Sequence, residues 1–234
     1  MDIKTKFLTK LKADPLYLLI LLTAAAITVT GILWNQHIFR MIPLYISLVV
    51  GLLQANANRY ANLIGGINSL LYVVVYLHFG LYASAANALL VSFPFQIATF
   101  IRWSRHAYRN STEFRRMSWK NRILIALAFI GCYIVVYVIL TEMDSSYRVL
   151  DNLISLLAIL SSILTLFSFI EYTWLMLPIC LGNMILNLIM MIEYPEQITY
   201  LIYSVYSFIC IIRQFFAVRN IYAEQLLGRE ENQA

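Results

Sequence analysis

The sequence predicts an all-α membrane protein with about eight transmembrane helices: two parallel three-helix repeats joined by an inverting helix, plus one extra N-terminal helix. Three observations carry that expectation. They are an apolar composition, apolar runs long enough to cross a bilayer, and basic residues gathered on one side of it. Apolar residues make up 61% of the chain and charged residues 12%, against about 45–50% and about 25% in soluble domains. The surplus has to face hydrocarbon, where an apolar exterior is not penalised. At 234 residues there is room for several spans of about 20 residues each and for no separate soluble domain.

In chain order, residues 1–40 hold a basic N-terminus and the extra span, 15–34. Lys4, Lys6, Lys10 and Lys12 precede an apolar run with Ala24, Ala25 and Ala26, which imitates a secretory signal. The run continues to Trp34, past the usual apolar core of about 7–15 residues, so it reads as an uncleaved helix. Residues 41–103 form the first repeat, with spans at 41–56, 62–79 and 81–103. The first of these is placed to begin at Met41, Ile42 and Pro43, because proline suits an opening helical turn. A basic loop and the inverting span 123–141 occupy 104–148. The second repeat covers 149–218, with spans at 149–170, 172–191 and 198–218, and 219–234 reads as a tail.

Charge placement supports the even count. With the N-terminus inside, every basic residue except Arg40 and Arg148 falls on the cytoplasmic side, while Glu142, Asp144, Asp151, Glu193 and Glu196 fall outside. An odd number of spans breaks that alternation. Both termini are therefore expected in the cytoplasm. The net charge of +5 is accounted for by this orientation signal, and no nucleic-acid partner is expected. The loop from Ser104 to Arg122 also suits anionic headgroups in the adjacent leaflet.

The two triplets share a layout: three spans, a tight connection after the middle one, and a basic exit. Such parallel repeats place a substrate site between them near the midplane. Polar residues inside spans are expensive in lipid and face a protein interior or a wet cavity. At helical period they form stripes: Asn68, Tyr72 and Tyr76 in span 3; Ser84, Ser92, Gln96 and Thr99 in span 4; Asp151, Ser155, Ala158, Ser162 and Thr165 in span 6. Span 7 adds Asn183 and Asn187, and span 8 adds Tyr200, Tyr203, Ser204, Ser207 and Gln214. A lone serine or threonine there more often cements two helices. The amides, with tyrosines beside them, suit a flat, polar, uncharged or weakly cationic small molecule. The candidate substrate-binding residues are Asn68, Tyr72, Gln96, Trp174, Asn183, Asn187 and Tyr203.

The sequence has no Walker-type phosphate loop and no carboxylate at mid-span. His37, His78 and His106 are scattered, and Cys132, Cys180 and Cys210 show no metal or disulfide spacing. No catalytic residue, metal or cofactor is therefore expected. Two other classes are less well supported: a membrane-bound enzyme using Glu142, Asp144 and Asp151, and a non-transporting sensor.

The segment Asn62 to Trp103 carries a more specific pattern: GGINSLLY at Gly65–Tyr72, LYAS at Leu81–Ser84, and Gln96 leading to Trp103. With Leu150, Asp151, the serines of span 6, Glu171 and Trp174, it resembles the PnuC vitamin transporters, whose fold is related to the SWEET sugar transporters. The resemblance covers roughly 41–220 and leaves span 1 as an addition. It implies facilitated diffusion of a nucleoside-like vitamin, typically nicotinamide riboside, across a bacterial inner membrane, with trapping by a separate kinase, and it suggests a homotrimer. Asn62 stands where the family has tryptophan, Ser84 replaces an aspartate, and Ala98, Thr99 and Phe100 replace a glycine and a tryptophan. Thiamine, riboflavin and deoxynucleosides therefore stay open as ligands.

Overall fold

The computed structural model describes residues 14–78, 85, 88–142 and 148–231. Among these lie eight α-helices, one for each expected span: α1 Pro15–Leu33, α2 Ile38–Ala55, α3 Tyr60–His78, α4 Phe93–Arg105, α5 Trp119–Glu142, α6 Arg148–Leu166, α7 Tyr172–Glu193 and α8 Ile198–Glu231. Ser84 and the LYAS segment, Lys4 to Lys12 and Asp144 lie outside the described residues.

Local chemistry sets the helix ends. Asp14 caps α1 by accepting from the Leu16 N–H at 3.0 Å, and Pro15 fills the first helical position, where a missing N–H is harmless. The second helix starts earlier than the proline suggests: it begins at Ile38, after a His37 cap, and Pro43 sits inside it. The His37 ring accepts from the Phe39 N–H, so the cap is side-chain rather than proline chemistry. A π-helical turn, Ala88–Ser92, precedes α4, and Pro94 follows at once. Proline has no N–H for the carbonyl four residues back, and the wider winding accommodates that gap.

Among the described residues, five helices, α1, α2, α5, α7 and α8, are individually long and apolar enough to cross a membrane. α3 and α6 carry Asn62, Asn68, Ser161, Ser162 and Thr165 on the faces that line a cavity inside the bundle.

α3 packs between α2 and α4, and α7 packs between α6 and α8. The two groups meet through α2 against α8 and α4 against α6. α1 lies on α2 and α8, whereas α5 packs along α6, with none of its apolar window buried. One core joins α1, α2 and α8 around Ile27, Leu44, Leu48, Tyr206 and Cys210. Gly51 permits it, because a Cβ there would stand 2.9 Å from the Tyr206 ring.

A second core lies at the basic end and shows that the loop before α5 is folded. A short antiparallel hairpin, β1 Ala107–Tyr108 and β2 Ser111–Thr112, turns under the bundle. Gln225 clamps it, donating to the Thr112 carbonyl at 2.9 Å and accepting from the Phe114 N–H at 3.0 Å. Trp103, Phe114, Met117, Tyr172 and Val218 pack beneath. Residues 219–231 are thus no separate tail: α8 runs on as one helix of 34 residues, about 51 Å at 1.5 Å per residue, well beyond a hydrocarbon core of about 30 Å.

Candidate transport cavity

A cavity of about 360 Å³ lies between the two groups of three helices, and all six contribute to its wall. The α2–α4 side is amide-rich. Asn68 Nδ2 donates to Ser47 Oγ at 2.8 Å and to the Pro43 carbonyl at 3.1 Å, which fixes the side chain against α2. Gln96 Nε2 donates to Ser69 Oγ at 3.1 Å, and that hydroxyl donates to the Gly65 carbonyl at 3.0 Å. The glycine pair makes this seat possible: a Cβ on Gly65 would run into Gln96 Oε1, and one on Gly66 would meet Ile97 Cδ1 at 2.8 Å.

The opposite side is aromatic and small. Tyr172, Met176 and Ile179 come from α7, Tyr203 and Gln214 from α8, and Ala158, Ser161, Ser162 and Thr165 from α6. Gln214 Nε2 donates to Tyr172 Oη at 2.9 Å, and Trp103 Nε1 donates to the Thr165 carbonyl at 2.8 Å across the α4–α6 contact. Ser162, Thr165 and Thr99 turn their hydroxyl protons back to their own helices. Three buried polar atoms on cavity-lining residues have no protein partner: Asn68 Oδ1, Ser161 Oγ and Gln214 Oε1. A buried acceptor left unpaired costs about 1–3 kcal/mol. The three lie on both sides of the cavity, Asn68 on the α2–α4 side and Ser161 and Gln214 on the other, and a polar guest or water would satisfy them.

Four of the seven residues singled out from sequence, Asn68, Tyr72, Gln96 and Tyr203, line this cavity. The other three do not. Asn187 donates to Ser204 Oγ at 2.6 Å and joins α7 to α8. Asn183, half-buried on the same helix, is not part of the wall. Trp174 is 57% exposed; it stands edge-on to Phe215 at 4.7 Å, under the Arg219 guanidinium. Helical spacing puts the span 7 asparagines one turn apart, and the bond of Asn187 turns it to α8 rather than to the cavity. Glu171, named with Trp174 in the family resemblance, is also structural: it accepts from the Met117 N–H at 3.0 Å and pairs with Arg122.

Sequence reading missed Gln54, Asn58, Trp103 and Tyr172 as cavity residues. Gln54 lies at the end of α2, Asn58 sits in the turn that follows and Asn62 is in the first turn of α3, so the chain reversal between the two helices, which helical periodicity does not report, brings these amides to the cavity.

A polar chamber between six helices, three of them long and apolar enough to cross a membrane by themselves, is the arrangement of a membrane transporter. Residues 37–216 match the family described as Nicotinamide mononucleotide transporter. That is most of the chain, and the chain belongs to this family. α1 lies outside the matched segment, as the extra span in front of the fold. A solved structure, "Crystal structure of the Vitamin B3 transporter PnuC", superposes with a TM-score of 0.72 over 88% of this chain and 90% of that one, at 16% identity. At that identity the likeness establishes the fold. No curated protein matches the sequence.

Proposed function

We propose that this protein carries nicotinamide riboside by facilitated diffusion, and that the cavity between α2–α4 and α6–α8 is its binding site. The observation that carries this reading is the pairing of an amide wall, Asn68 and Gln96, with an opposite one that presents Tyr172 and Tyr203, around unpaired acceptors. Ribose hydroxyls and a carboxamide supply the donors those acceptors lack, and aromatic faces accept a cationic pyridinium ring. The volume falls within the range of about 300–1,000 Å³ typical of small-molecule sites.

The family description names a mononucleotide, and the cavity argues for the nucleoside instead. No Lys, Arg or His is among its described lining residues. A phosphate buried there would have no counter-charge, and an unpaired buried charge carries a penalty of several kcal/mol. Charge-free walls also fit thiamine, riboflavin or a deoxynucleoside less specifically, since none of these brings the same small cationic ring with its carboxamide and ribose.

The packing pattern supports two parallel repeats. Exchanging the triplets turns the α2–α8 contact into the α6–α4 contact, and both are present. Rocking of one triplet on the other gives alternating access. The charge bias supports both termini in the cytoplasm of a bacterial inner membrane, where a separate kinase traps the product. The homotrimer rests on the family resemblance.

Titration calorimetry on the detergent-purified chain tests the ligand. Nicotinamide riboside is expected to bind at least tenfold more tightly than the mononucleotide, thiamine, riboflavin or a deoxynucleoside. Equal or tighter binding of the mononucleotide overturns the assignment.

A further inference from the structure

A second hollow, of about 840 Å³, lies outside the cavity, between α5 and the face formed by α6, α7 and α8. Its two ends differ in chemistry. Away from the basic end its walls are apolar: Phe129 and Ile130 from α5, Leu157 and Leu160 from α6. At the basic end it is rimmed by Arg116, Arg122 and Arg219, with Glu171 as the one acidic residue among those lining it. Its Oε1 accepts from both Arg122 and the Met117 N–H, while its Oε2 is buried without a protein partner. Arg116 is exposed, and neither it nor Arg219 makes an ion pair among the described residues. Arg219 is held over the Trp174 and Phe215 rings, 4.7 Å and 3.4 Å from their centroids, which fixes its position at the rim. Arg122 keeps a buried Nε–H with no protein partner.

Three guanidiniums against one carboxylate, above an apolar channel that opens beside a helix with no buried window, match one class of molecule. We infer that this groove binds an anionic phospholipid. Its headgroup phosphate lies among Arg116, Arg122 and Arg219, and an acyl chain lies along Phe129, Leu157 and Leu160. A zwitterionic lipid offers the same chain but brings its own cation to a rim that already has an excess of them. A soluble anion would leave the apolar walls unfilled. A lipid here fills the gap between α5 and the face of α6, α7 and α8, and so adds to the packing of a helix held mainly by α6 and by the Arg122–Glu171 pair.

Native mass spectrometry of the delipidated full-length protein, with phosphatidylglycerol and phosphatidylethanolamine of matched chains in competition, reads the headgroup preference. The wild type is expected to retain phosphatidylglycerol at least tenfold better. Arg116→Gln with Arg219→Gln is expected to bring the ratio within twofold of unity, and Arg105→Gln, outside the groove, to leave it unchanged. Equal retention by the wild type, or an undiminished preference in the double variant, overturns the inference. If the double variant does not fold, brominated lipids decide the matter with the arginines intact. Excess quenching of tryptophan emission by the brominated phosphatidylglycerol, abolished in Trp174→Phe, supports the site; equal quenching by both lipids refutes it. A disulfide forming between two Ala126→Cys copies in the membrane would place a second copy of the chain in the groove and also refute it.

Discussion

α3 and α7 each pack between the other two helices of their group and carry the same kind of residue, yet they use it differently. On α3, Asn68 is buried at the cavity wall, tied to α2 through Nδ2 and leaving Oδ1 unpaired. On α7, Asn187 spends its amide on Ser204 of the neighbouring helix, and the cavity receives Tyr172, Met176 and Ile179 instead. A repeated layout therefore does not require a repeated chemistry. The asymmetry produces one hydrogen-bonding wall and one stacking wall, which a ligand with an amide and ribose at one side and a flat ring at the other needs.

The strongest way to break that comparison is to exchange the two amides' fates. Asn68→Ala and Gln96→Ala are each expected to lower uptake into proteoliposomes by about 5- to 150-fold, the equivalent of losing an interaction of about 1–3 kcal/mol. Asn183→Ala is expected to stay within twofold of wild type. Asn187→Ala is expected to leave uptake similarly intact while lowering thermal stability by about 0.6 kcal/mol, a typical interhelical hydrogen bond in a membrane. Loss of uptake in Asn183→Ala with normal protein levels would restore symmetry to the site and remove the two-wall reading.

A smaller effect sharpens the same wall. Gly65→Ala places a methyl group on Gln96 Oε1, whereas Gly66→Ala meets the flexible end of Ile97. Overpacking of this kind costs about 1–3 kcal/mol where neighbours are fixed and less where they yield. Uptake is therefore expected to fall severalfold in Gly65→Ala and to fall less in Gly66→Ala. The reverse order would mean that the seat of Gln96 is set elsewhere than by the glycine pair.

The contrast between α3 and α7 also shows what a sequence makes legible. The number of helices was readable, because lipid imposes a length and a charge bias that each span reports by itself. Gln96 stood out as an amide in the polar stripe of span 4 and the GGIN segment through the family resemblance, but that the glycine pair seats Gln96 shows only in the packing. The fate of Asn187 was not, since periodicity fixes a face but not the neighbour that face meets. The folded basic loop was equally hidden: Gln225 reaches Thr112 across more than a hundred residues, and nothing local to either residue records that bond. Nor does a sparse charge such as Glu171 declare whether it binds a ligand or, as here, the start of the inverting helix.

α1 supplies the smallest test, because it touches both triplets, through α2 and α8, without lining the cavity. Its anchor is Asp14, which accepts from both terminal nitrogens of Arg213 on α8, at 2.5 and 2.7 Å, and from the Leu16 N–H. The hydrogen bond from Arg213 is the main reason that the Asp14 carboxyl ionises below its ordinary range, a shift that partial burial opposes. A carboxylate whose folded pKa is depressed contributes stability above its unfolded value, about 3.9, and loses that contribution as pH falls through the folded value. The melting-temperature gap between wild type and Asp14→Asn is thus expected to be constant from pH 7 to about 5 and to close below about 4. Uptake at neutral pH is expected to be unchanged, since α1 stands outside both walls. A gap that persists at the lowest pH would mean that the asparagine loses helix capping rather than the ion pair. A loss of transport would mean that α1 governs how the triplets move, and the two-wall account would then need a third member.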